Sequence, residues 1–126
     1  MKKIAILLLV LLSISSLLSA KNIAGINNLE SSEASLIVGV ESQNNGLVVS
    51  SANLIGDLKM QKAVIPLMSI LKNSSDVSAR ISAAQALVKI GDARGVFAVK
   101  KAADFDKSER VRKLCAKFYF QSLIQS

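Results

Sequence analysis

Residues 63–87 and 95–119 follow one physical plan at a constant offset of 32, with no gap needed. Ala63-Val64 stands against Gly95-Val96, Leu67 against Val99, and Arg80 against Arg112. Ala83-Ala84 stands against Cys115-Ala116, and Leu87 against Tyr119. A period of roughly 30 residues that carries two apolar-periodic segments is the mark of stacked helical hairpins. Each hairpin leaves apolar surface that its neighbour covers, so the repeat itself dictates an array. The expected fold is all-α, an α-solenoid of about three antiparallel helical hairpins.

Within that frame the local signals are helical. Gln61–Leu71 carries Val64, Leu67, Met68 and Leu71 at a 3.6-residue spacing. Pro66 lies inside this segment. Proline is tolerated only in a helix's first turn, so a start near Met60 and a bend are expected. Lys72–Asp76 reads as a turn in which Ser75 or Asp76 caps the next helix, Val77–Ile90. Gly91 ends that helix and Asp92 opens the following one, Ala93–Ala103. Asp104–Lys107 turns the chain, and Asp106-Lys-Ser-Glu109 has the spacing of a capping box with Asp106 as the cap. The last helix is expected from Ser108 to about Leu123.

The period also runs backward, more faintly. Ala84 maps to Ala52, Ala83 to Ser51, Ile81 to Val49 and Leu87 to Ile55. Gly46–Lys59 thus reads as the second helix of a degenerate first repeat, with Glu33–Ser42 as its first. A β-hairpin is the rival there, because Leu36–Val40 and Leu47–Val49 flank Asn45-Gly46. The Ser51-Ala52 match favours helix. The repeat domain is therefore set at 33–126, divided into 33–59, 60–92 and 93–124.

Residues 1–20 read as a secretory signal peptide. Lys2 and Lys3 precede an apolar run from Ile4, and Ser19-Ala20 offers small residues for cleavage. An uncleaved membrane anchor is the alternative, although the run is shorter than the roughly 20 residues that span a bilayer. The chain is expected to be exported, periplasmic or secreted. Residues 21–32, rich in Asn, Ser and Gly, read as a flexible lead-in. With a single cysteine, Cys115, no internal disulfide can form, so stability rests on apolar packing.

The stretch Ala63-Val-Ile-Pro66-Leu67-x-x-x-Leu71, a turn, then Arg80-x-x-Ala83-Ala84-x-Ala86-Leu87-x-x-Ile90-Gly91-Asp92 resembles the HEAT-repeat family. The similarity is to the short HEAT-like repeats of phycobilisome-lyase-type proteins. Arg94-Gly-Val96 and Val111-Arg112-x-x-Cys115-Ala116 repeat the pattern. The resemblance implies helical-repeat architecture and little about chemistry, since such repeats serve scaffolds, enzymes and chaperone-like factors alike. Some enzymes of this kind bind iron through His-Glu pairs. This chain has no histidine, so that activity is not carried over.

No catalytic, cofactor or metal residues are expected. There is no phosphate loop, no Ser-His-Asp set and no histidine to activate Cys115. On this ground the chain is expected not to be an enzyme. Arg80, Arg112, Ala83, Ala84, Cys115 and Ala116 read as structural: the arginines brace the stack, with Asp76 within reach of Arg80, and the small residues let helices approach. Charge is concentrated toward the end of the chain. The whole sequence carries +7, and residues 93–126 hold eight bases against three acids. Lys100, Lys101, Arg110, Lys113 and Lys117, with Phe120 and Leu123, are the candidate partner-binding residues. They suit a protein with an acidic surface. Nucleic acid is disfavoured by export; peripheral membrane contact and self-association are rival outcomes. The leading expectation is an interaction module or scaffold of the bacterial envelope. The alternative is a small bilin-lyase-like or chaperone-like factor handling a bound cofactor.

Overall fold

The computed structural model describes residues 30–126. The expected leader, 1–20, and most of the expected lead-in lie outside the described residues. The chain divides into two compact units, Met1–Ala34 and Ser35–Ser126. Of the first, residues 30–34 are described, and they are helical, including 30–32, which the Asn/Ser-rich composition had placed in the lead-in. Extending an existing helix costs little per residue, so composition is a weak guide at such an edge.

The second unit begins with α1, residues 35–40, and continues with α2, Asn45–Asp57. A 3-10 turn, Gln61–Ala63, leads into α3, Val64–Asn73. Then follow α4, Val77–Ile90, α5, Ala93–Phe105, and α6, Glu109–Gln125. No strand occurs among the described residues, so the 33–50 segment takes the helical alternative. Pro66 is the third residue of α3, where its missing N–H costs nothing, and the 3-10 turn before it absorbs the start near Met60. None of the described helices is long and apolar enough to cross a membrane.

The repeat is visible in the caps. Asn44, Asp76 and Ser108 each accept a hydrogen bond from the backbone N–H three residues on, opening α2, α4 and α6. Two residues before each cap, the side chains of Ser42, Ser74 and Asp106 accept the cap's own N–H. Asp106 is therefore not the cap. It closes α5 and its carboxylate is committed elsewhere, while Ser108 caps α6. The exit from each second helix repeats as well. Gly91 sits at φ +79 after α4, and Lys59, its counterpart one period earlier, sits at φ 51 after α2.

The helices form two rows. α2, α4 and α6 pack side by side in one, α3 and α5 in the other, and α3–α4 and α5–α6 close as hairpins. α1 approaches α2 where Gly39 meets Ser51. α4 is the hub: Ala83, Ala84, Ala86 and Leu87 are all within 2 % of full burial. The approach is close because the residues are small. A Cβ on Gly56 would stand 2.8 Å from the Ala86 Cα, and one on Gly95 would stand 2.8 Å from a Leu87 methyl. Ile55, Leu67, Val99, Val111 and Cys115 complete the shared core.

Candidate partner-binding face

The Arg80 guanidinium is 2 % exposed, between α4 and the α5–α6 turn. Its Nε and Nη2 donate to the two Asp106 carboxylate oxygens at 3.1 Å each, and Nη1 donates to the Ser74 carbonyl at 2.8 Å. Arg112, the matching residue of the next repeat, donates through Nη1 to the Asp106 carbonyl at 2.6 Å. Arg80 thus joins α4 to the α5–α6 turn, whereas Arg112 bonds within its own hairpin; Asp76 is not the partner of Arg80, because its carboxylate caps α4. Cys115 lies fully buried beside this cluster. Burial first, and the Asp106 carboxylate second, push its thiol up to about 12, with Arg80 partly opposing. A thiol held neutral in this way is a packing residue rather than a nucleophile.

Ala52, Ala84 and Ala116 occupy the same slot in α2, α4 and α6. Ala52 and Ala84 are fully buried, yet Ala116 is exposed. The expectation that Ala116 sits in a tight helix contact is thus corrected. No described helix packs on that side of α6. Gly56, Val88 and Phe120 make a second such series: Gly56 meets α4, Val88 packs partly against the core, and Phe120 is 63 % exposed. The outer face of α6 is the inter-helix face of its row.

The candidate residues divide about this face. On a helix with about 100° between successive residues, Arg110, Lys113, Lys117, Phe120 and Ile124 fall on one stripe. All are exposed, the first three forming a basic half and the last two, with Leu123, an apolar half. Lys113 pairs with Glu109 at 2.8 Å, both exposed, a contact worth little. Lys100 on α5 stands 5.9 Å from the Tyr119 ring centre, over the ring. Lys101 is turned away by one residue's rotation and does not join the α6 stripe. It lies on an outer α5 face with Phe97 and Phe105, two exposed aromatics that the reading of the sequence missed. Their lack of helical-stripe partners was the available signal. Phe118 and Tyr119 pack against the core, so the aromatic cluster of α6 is split between core and surface.

Open grooves lie on the surface of the unit. One, about 440 Å3, runs between the ends of α4 and α6 and the start of α5, touching Val88, Val96 and Leu123. Another, about 420 Å3, lies between the α1–α2 turn and the end of α3. Among the described residues, no three His, Cys, Asp or Glu side chains gather as a metal would require.

Neither a protein-family model nor a curated protein sequence matches the chain. Among solved structures it is similar to human deoxyhypusine hydroxylase in complex with glycerol, with a TM-score of 0.66 and 21% identity. The match covers 75% of this chain and 32% of that one, so the chain spans about a third of the hydroxylase's length. The similarity supports a HEAT-like helical repeat fold. It also corrects one expectation. The absence of familiar catalytic motifs had marked the chain as a non-enzyme, but the same architecture builds a hydroxylase. At this identity the likeness shows the fold alone, and the missing motifs do not bar catalysis.

Proposed function

We propose that this chain is an exported HEAT-like repeat module that docks a partner protein on the outer face of α6. The observation that carries the reading is the series Ala52, Ala84 and Ala116, buried twice and exposed once. A face shaped to receive a helix carries three exposed cations and three exposed apolar residues. Exposed apolar patches rimmed by charge mark protein contacts. The partner this chemistry selects has an acidic surface beside an apolar ridge. Export rests on Lys2, Lys3 and the apolar run that follows.

Affinity capture from the native envelope tests the reading with three baits: the native chain, Lys113→Glu/Lys117→Glu and Phe120→Glu. A species held by the native chain and lost with both variants supports it. Equal capture by all three removes the α6 face. If the captured species is the chain itself, sedimentation at low and high salt shows whether the contact is electrostatic, since screening weakens it.

A further inference from the structure

The two junctions between successive hairpins use the same slot differently. In the later junction the slot holds the Arg80 guanidinium, bonded to the Ser74 carbonyl at one helix end and the Asp106 carboxylate at the next. Moving back by one period replaces Arg80 by Val48, Ser74 by Ser42 and Asp106 by Ser74. Val48 can donate nothing. Val48 is itself buried but far shorter than an arginine, and beside it the earlier junction has the open groove of about 420 Å3, bordered by Val40, Glu41, Ser42, Val48, Pro66 and Ser74.

We propose that this groove receives an arginine side chain from a partner polypeptide. The molecule supplies its own template. Equivalent helix ends border both slots, and in the later one the occupant is a guanidinium. The carbonyls that end α1 and α3 carry the negative end of each helix dipole, which favours a cation. Glu41, on the groove's border, adds a formal negative charge, although from the end of α1 and not from the Ser74 position that corresponds to Asp106. Val40, Val48 and Pro66 offer an apolar wall for the methylene stem, and a planar fork fits acceptors on two helix ends better than an ammonium does. This site is separate from the α6 face, and its test does not depend on the partner proposed there.

The purified protein is titrated by amide NMR with N-acetyl-arginine amide, and in parallel with the citrulline and lysine analogues and with inorganic phosphate. Saturable shifts at Ser42, Val48 and Ser74 with arginine, absent with citrulline and phosphate and weaker with lysine, are expected. Val48→Arg fills the slot from within. It should raise the unfolding temperature and abolish the arginine shifts. Ser74→Asp restores the missing carboxylate and should tighten arginine binding severalfold, which keeps the test decisive if Val48→Arg does not fold. Equal shifts with citrulline or phosphate, no saturable arginine shift, or arginine binding unaffected by Ser74→Asp overturns the proposal.

Discussion

Arg80 and Asp106, far apart in sequence, form a two-pronged ion pair with both bonds at 3.1 Å and side chains only 2 % and 8 % exposed. The pair ties α4 to the turn that starts α6. Losing one partner strands a buried charge, at a cost of about 3–5 kcal/mol. Arg80→Leu and Asp106→Leu should each approach that cost in urea unfolding. The double variant should cost less than the sum by about 1–3 kcal/mol, the coupling of residues that share one network. Strict additivity would mean that the pair contributes no coupling. The exposed Lys89–Asp57 pair is the control, although it is shorter at 2.6 Å. Solvent screening leaves it worth at most about 1 kcal/mol.

Lys59 and Gly91 end equivalent helices with positive φ, but only one of them is glycine. A side chain in the left-handed region costs about 1–2 kcal/mol, and glycine's extra freedom in the unfolded chain returns part of that. Lys59→Gly should therefore stabilise the protein by about 0.5–1 kcal/mol, read as a higher denaturation midpoint at unchanged slope. Gly91→Ala should do the reverse by about 1 kcal/mol. A Cβ there would meet nothing within 4 Å, so its cost is purely backbone strain.

Where the repeat copies itself, the chain was readable. The small slots of α4 and the capping role of Asp76 follow from local chemistry that recurs once per repeat, and the Gly91-Asp92 boundary from a glycine and a cap of its own. Among the readings that went astray, three have distinct physical reasons. Asp106 looked like a cap because Glu109 follows at capping-box spacing, but a buried arginine from another hairpin claims its carboxylate. Ala116 looked buried because Ala84 is, but equivalence in sequence does not supply the neighbouring helix. Lys100 and Lys101 looked like one basic patch, but adjacent helical residues point apart. The candidate face on α6 was legible as a charge run with aromatics. Which aromatics face outward was not, because that depends on the angle at which α6 packs on α4 and α5.

Cys115 gives the protein a pH signature. Its thiol ionises near 9.0 when free and is pushed up to about 12 in the folded state, chiefly by burial. Below pH 9 both states hold the proton and it contributes nothing to pH dependence. Between 9 and 12 only the unfolded chain releases it, so stability falls by about 1.4 kcal/mol for each pH unit. Cys115→Ala should remove that component of the alkaline slope, and Ala83 in the equivalent slot shows that alanine fits. At neutral pH a disulfide-exchange reagent should react with Cys115 only as fast as the protein opens. Rapid labelling of the folded protein would contradict the burial.

Phe118 and Phe120 separate the folding role of α6 from its surface role. Phe118 packs partly against the core, whereas Phe120 is 63 % exposed. Truncating a core aromatic costs about 3–5 kcal/mol when it is fully buried, so Phe118→Ser should lose a substantial fraction of that. Surface replacements away from caps and buried groups stay within about 0.5 kcal/mol. Phe120→Ser should therefore leave the unfolding curve in place while making the isolated protein less prone to associate through α6. Ala116→Leu extends the logic. In α4 a leucine at the equivalent Ala84 would overpack the core, but at 116 it meets no described helix and should be tolerated. Were Phe120→Ser as destabilising as Phe118→Ser, or Ala116→Leu as costly as Ala84→Leu, the outer wall of α6 would be covered in the folded protein, and the docking surface would have to lie elsewhere.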